Sequence, residues 1–382
     1  MQVRLQDICD LKWGDTSITK ASYVSDGYPA FSASGCDGLL PHFDYEGPGI
    51  VVSAIGARCG KTWLADGRWS CIKNTIVIRP KSDEVDVRFI FFATLDPSLW
   101  PRRGAAQPFI ALTDAKNIVI DLPPLATQRQ IAALLSAYDE LIQNDLRRIR
   151  SLEEMASALY REWFVDFRIP GYEAVPRSAT LLGPLPRGWE LRRMPTCIEI
   201  NPHVTIADDQ ENAFVPMDGL TVESMVITKI ETRVGRGGAR FQNGDTLFPR
   251  ITPSLENGKT GFVQFLPDSE AVATGSTEFI VFRSRSLTPE FVYLLARSER
   301  LRATAIKSMS GASGRQRVRE ECFDDLLLAQ PPRALLDRFS VLVAPSFRLS
   351  QVLHLQALNL RRTRDLLLPR LLSGQLNVDE AA

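Results

Sequence analysis

Apolar residues recur at spacings of four and three through Ile131, Leu135, Tyr138, Ile142, Asp145, Ile149, Leu152, Ala156, Leu159 and Trp163, with Asp145 the one polar member. A repeat of about 3.5 residues held over this length predicts a coiled-coil seam rather than the broader face of a globular helix. The other faces carry Asp139, Glu140, Arg147, Arg148, Arg150, Glu153, Glu154 and Glu162. Pro123 and Pro124 precede the stripe, and Thr127 is the expected N-cap, with Gln130 completing a capping box. A weaker copy lies 208 residues on: Phe339, Val343, Ser346, Ser350, Leu353, Ala357, Leu360, Arg364, Leu367 and Leu371, seven of ten apolar. Pro345 is expected to delay this helix, Pro369 to kink its last turn, and Gly374 to stop it. Helices of about 40 residues are about 60 Å long. A narrow apolar stripe needs a partner, and each copy is the obvious partner of the other.

Outside the stripes, short β-type runs alternate with Gly, Pro and Asn turn signals, and they recur in order. "GIVVSAI" matches "DTLFPRI", "KNTIVIRP" matches "STEFIVFRS", "VRFIFFATL" matches "PEFVYLLAR", and "DLPPLATQRQI" matches "AQPPRALLDRF", at offsets drifting from 196 to 208. This is an internal repeat of about 200 residues, far longer than a solenoid period. Each copy has a strand-rich part, residues 1–122 and 189–330, followed by a long helix, 123–167 and 331–376, with a tail at 377–382. Residues 168–188 hold four prolines and three glycines and read as a linker. Parallel helices would force that linker to run back along about 60 Å, almost fully extended. Antiparallel pairing, with the globules at opposite ends, is expected instead. The expected fold class is α+β: two strand-rich α/β domains joined by two long antiparallel coiled-coil helices, as a pseudo-twofold internal repeat.

The segment "GARCGKT", residues 56–62, looks like the GxxxxGK[ST] phosphate loop of nucleotide hydrolases. Its spacing is one residue short. Asp66-Gly67 between β-type runs then predicts a hairpin where a phosphate loop needs a helix. The triplet returns as Gly258-Lys259-Thr260, so both copies read as matching turns. Lys61 and Lys259, with Arg58 and Arg250 nearby, become candidate phosphate contacts.

Charge sharpens this only locally. The 45 basic and 45 acidic residues cancel, so net charge gives no argument for nucleic acid or membrane. Two islands stand out. Arg58, Lys61, Arg68, Lys73, Arg79 and Lys81 face only Asp66, and Arg297, Arg300, Arg302, Lys307, Arg315, Arg317 and Arg319 face only Glu299. Such islands can neutralise DNA phosphates, though a solvated charged face is the plain alternative. In "SGASGRQRV", Gln316 could pair adenine and Arg315 or Arg317 guanine. "RRGAAQPF" places Arg102, Arg103 and Gln107 at the equivalent point of the first copy. Two similar but non-identical globules on a rigid spacer suit two different DNA half-sites spaced by whole helical turns.

Cys9, Cys36, Cys59, Cys71, Cys197 and Cys322 form no CxxC pair and read as buried, reduced thiols of a cytoplasmic protein. His42, His203 and His354 are far apart, so no metal cluster is expected. The N-terminus lacks a signal-peptide pattern, and no apolar run is long enough to span a membrane.

The run "LPPLATQRQIAALLSAYDELI" leading to "LYREWFVDF", the "PLPRGWE" that opens the second half, and the closing "LLLPRLLSGQL" resemble the specificity (S) subunit of type I restriction–modification systems, over nearly the whole chain. The resemblance implies two target recognition domains, each reading one half of a bipartite sequence, with paired helices as the spacer ruler. It implies docking of two methyltransferase (modification) subunits and, for cleavage, restriction (translocase/endonuclease) subunits. The partners would supply S-adenosylmethionine, ATP and magnesium; this chain would hold no cofactor and do no catalysis. Base-reading residues vary with target, so none is carried over. Three rival readings remain: a self-sufficient DNA methyltransferase resting on "DLPPL", a nuclease using Asp96, Asp114 and Lys116, and a scaffold that binds only proteins.

Overall fold

The computed structural model describes residues 1–206, 211–311 and 316–378. The chain divides into two compact units, Met1–Ile142 with Asn359–Ala382, and Gln143–Leu358.

In the first unit a four-stranded antiparallel sheet runs in the order Cys9–Trp13, Thr75–Pro80, Gly49–Ser53, Thr62–Ala65. All five residues of Gly49–Ser53 are buried, as an apolar run without alternation requires of a strand covered on both faces. A second sheet runs Gly35–Leu40, Tyr28–Ser32, Arg68–Cys71, Tyr45–Glu46, and its middle pairing is parallel. The expected hairpin at Asp66-Gly67 does not form. Thr62–Ala65 belongs to the first sheet and Arg68–Cys71 to the second, so the turn carries the chain between sheets. Gly67, at φ +73°, makes that corner, its N–H donating to the Asp66 carboxylate at 2.7 Å.

The second unit repeats this plan strand for strand. One sheet runs Ile198–Ile200, Phe279–Ser284, Thr246–Pro249, Gly261–Phe262; the other runs Glu231–Val234, Glu211–Val215, Ala273–Gly275, Ala239–Phe241, again with a parallel middle pair. A short pair closes each copy: Gln2–Arg4 with Val119–Asp121, and Glu190–Arg193 with Leu327–Gln330. The matched runs "VRFIFFATL" and "PEFVYLLAR" are both helical, at Val87–Ala93 and Pro289–Arg297. The proline-rich segment 168–188 folds a small hairpin of its own, Arg177–Thr180 with Gly183–Pro186.

The first long helix spans Leu125–Tyr160 and continues as a π turn through Arg161–Val165. It starts two residues before the expected cap, so Thr127 lies inside it. Gln128 secures this end instead: its amide donates to Pro123 O at 2.8 Å and its Oε1 accepts from Asp86 N at 2.9 Å. The second helix, Arg333–Leu372, runs unbroken through Pro345 and Pro369, so neither proline delays or ends it. Gly374, at φ +71°, follows its end as expected.

None of the twenty stripe positions is exposed. In the first unit Ile131, Leu135 and Leu371 share one core, and Arg364 pairs with Asp139. Partner numbers fall as helix positions rise, which is the antiparallel sense. In the second unit Tyr160, Trp163 and Phe164 ring Phe339 at centroid distances of 6.5, 6.0 and 4.8 Å. Of the polar stripe members, Ser350 donates to Ser346 O at 2.9 Å, while the buried Asp145 has only Arg148, at 3.8 Å, as an ion-pair partner among the described residues. Four cysteines are buried, with the Cys9 and Cys71 thiols pushed up to about 12 by burial, but Cys36 is exposed.

Candidate nucleic-acid interface

The "GARCGKT" segment joins Gly49–Ser53 to Thr62–Ala65, so a strand follows it, not a helix. Gly60 N donates to Ser53 O at 2.8 Å, and Ser53 N to Lys61 O at 2.8 Å, which closes the turn. Gly56 and Gly60 take φ +98° and +86°, a region that favours glycine. The turn packs against the 102–109 loop: Gly56 N donates to Pro108 O at 2.9 Å. Arg58, Lys61, Arg102 and Gln107 therefore gather on one exposed rim. Arg58 donates to Ser34 O at 2.7 Å, Lys61 lies 5.9 Å from the Trp63 ring, and Arg102 donates to Pro97 O at 3.1 Å. Arg103 is bound bidentately to Asp114, both bonds 2.7 Å. Lys73 is exposed on a turn whose Asn74 O accepts from Ala54 N at 2.9 Å, and Arg68 pairs with Glu46 at 3.1 Å on the second sheet.

The second copy repeats the juxtaposition with different chemistry. Its turn begins where Thr252 N donates to Gln316 O at 3.2 Å, and Val318 N donates to Arg250 O at 2.8 Å, so residues 250–252 lie beside 316–318. Arg250 pairs with Glu320 at 2.7 Å, Lys259 donates to Met217 O at 3.4 Å, and Arg317 grips Glu278 at 2.5 Å. That grip holds the Glu278 carboxyl below its ordinary range. Lys307 is exposed; Arg315 lies outside the described residues. Part of the second basic island turns inward. Arg302 donates to Leu255 O, Gly258 O and Thr260 Oγ1 at 3.4, 3.1 and 3.4 Å, bracing the second turn. Arg297 bonds Tyr293 Oη and Val222 O, both at 3.1 Å, and Arg300 bonds Leu327 O at 2.9 Å. Not among the sequence candidates is "TRVGRGGAR", residues 232–240, whose arginines alternate with glycines between two strands of one sheet, Glu231–Val234 and Ala239–Phe241. Basic residues around consecutive glycines were the available signal.

The profile of the type I restriction modification DNA specificity domain matches residues 1–154. Over those residues the chain is similar to that domain. The chain is also 25% identical over 289 residues to the type I restriction enzyme MjaIX specificity subunit of Methanocaldococcus jannaschii, covering 72% of this chain and 65% of that protein. It is 28% identical over 206 residues to the type I restriction enzyme EcoAI specificity subunit of Escherichia coli, covering 52% of this chain and 35% of that one. The chain thus spans less than two thirds of the length of these curated relatives. The crystal structure of a type I restriction–modification S subunit from M. genitalium superposes with TM-score 0.64 at 14% identity, over 97% of this chain and 96% of that one. That likeness is one of fold. The resemblance to type I specificity subunits, and the two-domain, two-helix α+β fold class, are thereby shown.

Within the specificity domain, the residues invoked by the catalytic rivals have other work. Asp121 ends a strand, and Pro123 and Pro124 lead into the long helix. Asp96 binds Ser98 through both oxygens at 2.8 Å, which lowers its pKa, while Asp114 is held by Arg103. No described helix is long and apolar enough to cross a membrane.

Proposed function

We propose that this chain is the DNA-sequence-specificity subunit of a type I restriction–modification complex, without catalysis of its own. Each strand-rich domain reads one half of an asymmetric bipartite target, and the helix pair sets the spacer. The observation that carries this reading is the duplication. A specificity domain occupies residues 1–154, and its paired four-stranded sheets recur in the second half with the same strand order and the same single parallel pairing. The exposed basic rim of Arg58, Lys61, Arg102 and Gln107 suits a phosphate backbone.

The helices also dock two methyltransferase subunits in this proposal, and restriction subunits join for cleavage. Val341, Leu342, Leu349, Val352 and Leu355 are exposed along the second helix, an apolar face that a protein partner would cover. S-adenosylmethionine, ATP and magnesium belong to those partners. Mapping methylated bases in host DNA tests the proposal. It expects one bipartite motif with a fixed spacer, and exchange of residues 1–122 for those of a relative should change one half-site only. Undirected methylation, or a change in both half-sites, would overturn it.

A further inference from the structure

The second unit carries a cleft that only Arg250, among the sequence candidates, touches. Two adjoining cavities of about 490 and 530 Å³ share Gly238 and Thr277. Asn201, His203, Arg240 and Arg250 line the first; Phe214, Arg233, Gly235 and Gly237 line the second. Among the described residues, no carboxylate lines either cavity.

The arginines are held in place before any ligand arrives. The Arg233 guanidinium lies 3.4 Å from the Phe214 ring centroid, and its Nε and Nη2 donate to Glu231 at 3.2 and 2.7 Å. Stacking and ion pairing fix its plane while half the side chain stays exposed, so little rotamer freedom remains to be lost on binding. Arg240 is anchored on Val204 O at 2.8 Å. Arg250 is anchored on Glu320, and its buried Nε has no hydrogen-bond partner among the described residues. The floor is bare backbone. Gly238 has φ +99°, and a Cβ there would come within 1.9 Å of Gly275 O, so the segment must be glycine to lie against that strand. At Gly237 an added Cβ would meet nothing within 4 Å. Fixed arginine donors over a bare floor suit a phosphodiester strand with a flat base edge. The first unit has a counterpart on its equivalent sheet: Arg68 sits 4.9 Å from the Phe43 ring and pairs with Glu46 at 3.1 Å.

We infer that this cleft is the DNA-reading surface of the second domain. Arg233 is its specificity-determining contact, and one strand of the duplex lies along Gly235–Gly238. The inference rests on the proposed function and names where that function is performed in the second half. The test uses the full chain co-expressed with its methyltransferase subunits, and a duplex bearing the mapped target, over a range of salt. Because position 237 is open, Gly237→Asp and Gly237→Lys should both melt like the wild type. Gly237→Asp should weaken binding roughly tenfold by repelling phosphate, and Gly237→Lys should bind at least as tightly as the wild type. Arg233→Ala should weaken binding to the mapped target by about tenfold and relax only the second half-site. The inference is overturned if Gly237→Asp and Arg233→Ala bind as the wild type does, or if both charges at 237 weaken binding alike. A wild-type complex with no sequence preference refutes the proposed function itself, and this inference with it.

Discussion

Glu153 ties the first long helix to the second domain, and its chemistry sets a sharp prediction. It projects from the helix, and its Oε1 accepts from Ser224 Oγ at 2.6 Å and from Met225 N at 2.9 Å. Burial, the largest influence, raises its pKa above the ordinary carboxylate value, against the two hydrogen bonds and Arg297. The folded state therefore binds this proton more tightly than the unfolded state. The resulting stabilisation is complete below the ordinary value, about 4.3, and is lost as pH rises through the raised value. At neutral pH the side chain is a partly buried charge that costs stability, though its oxygen is needed as an acceptor. Glu153→Gln keeps that acceptor and removes the charge. It should melt at or slightly above the wild-type temperature at neutral pH, and the difference should shrink as the solution is acidified. Glu153→Ala leaves the buried Met225 N–H without its partner, at a cost of about 1–3 kcal/mol. For a folding unit of this size, each kcal/mol lowers the melting temperature by about 2–4 °C. Thermal melts of both variants across pH decide the matter. If Gln is as damaging as Ala, the charge and not the acceptor holds residues 224–225, and the reasoning fails.

Two further perturbations probe other levels of the fold. Arg364→Leu should cost about 1–2 kcal/mol, because Asp139 loses its seam partner; adding Asp139→Leu should recover most of that loss in urea titrations, since an apolar pair can replace a half-buried ion pair. Gly49→Ala should destabilise the specificity domain by about 1–3 kcal/mol, because the new Cβ would sit 2.6 Å from Cζ2 of the fully buried Trp69; a wild-type melting temperature would show that the indole can shift freely.

The long helices were legible in the chain because their burial is a one-dimensional pattern. A narrow partner contact demands apolar residues at about 3.5-residue spacing, and that demand is written locally from Ile131 to Trp163. The duplication was legible for a similar reason: one fold used twice needs the same strands in the same order, so "GIVVSAI" and "DTLFPRI" keep their places. Their antiparallel sense followed from the length of residues 168–188, though not the hairpin folded inside that segment.

The fate of individual polar side chains was not legible, because distant partners decide it. Arg302 and Lys307 share one basic island, yet Arg302 braces carbonyls more than 40 positions away while Lys307 faces solvent. Nothing along the chain marked Asp114 and Glu278 as the ion-pair partners of Arg103 and Arg317. Asp66-Gly67 has the composition of a hairpin turn. Only the pairing of its flanking strands with different sheets makes it a crossing between layers. Sequence alone therefore determined the repeat and the two long helices, since both are carried by spacing along the chain. The tertiary structure decided which charges face solvent, because a charge becomes structural or exposed according to what folds against it.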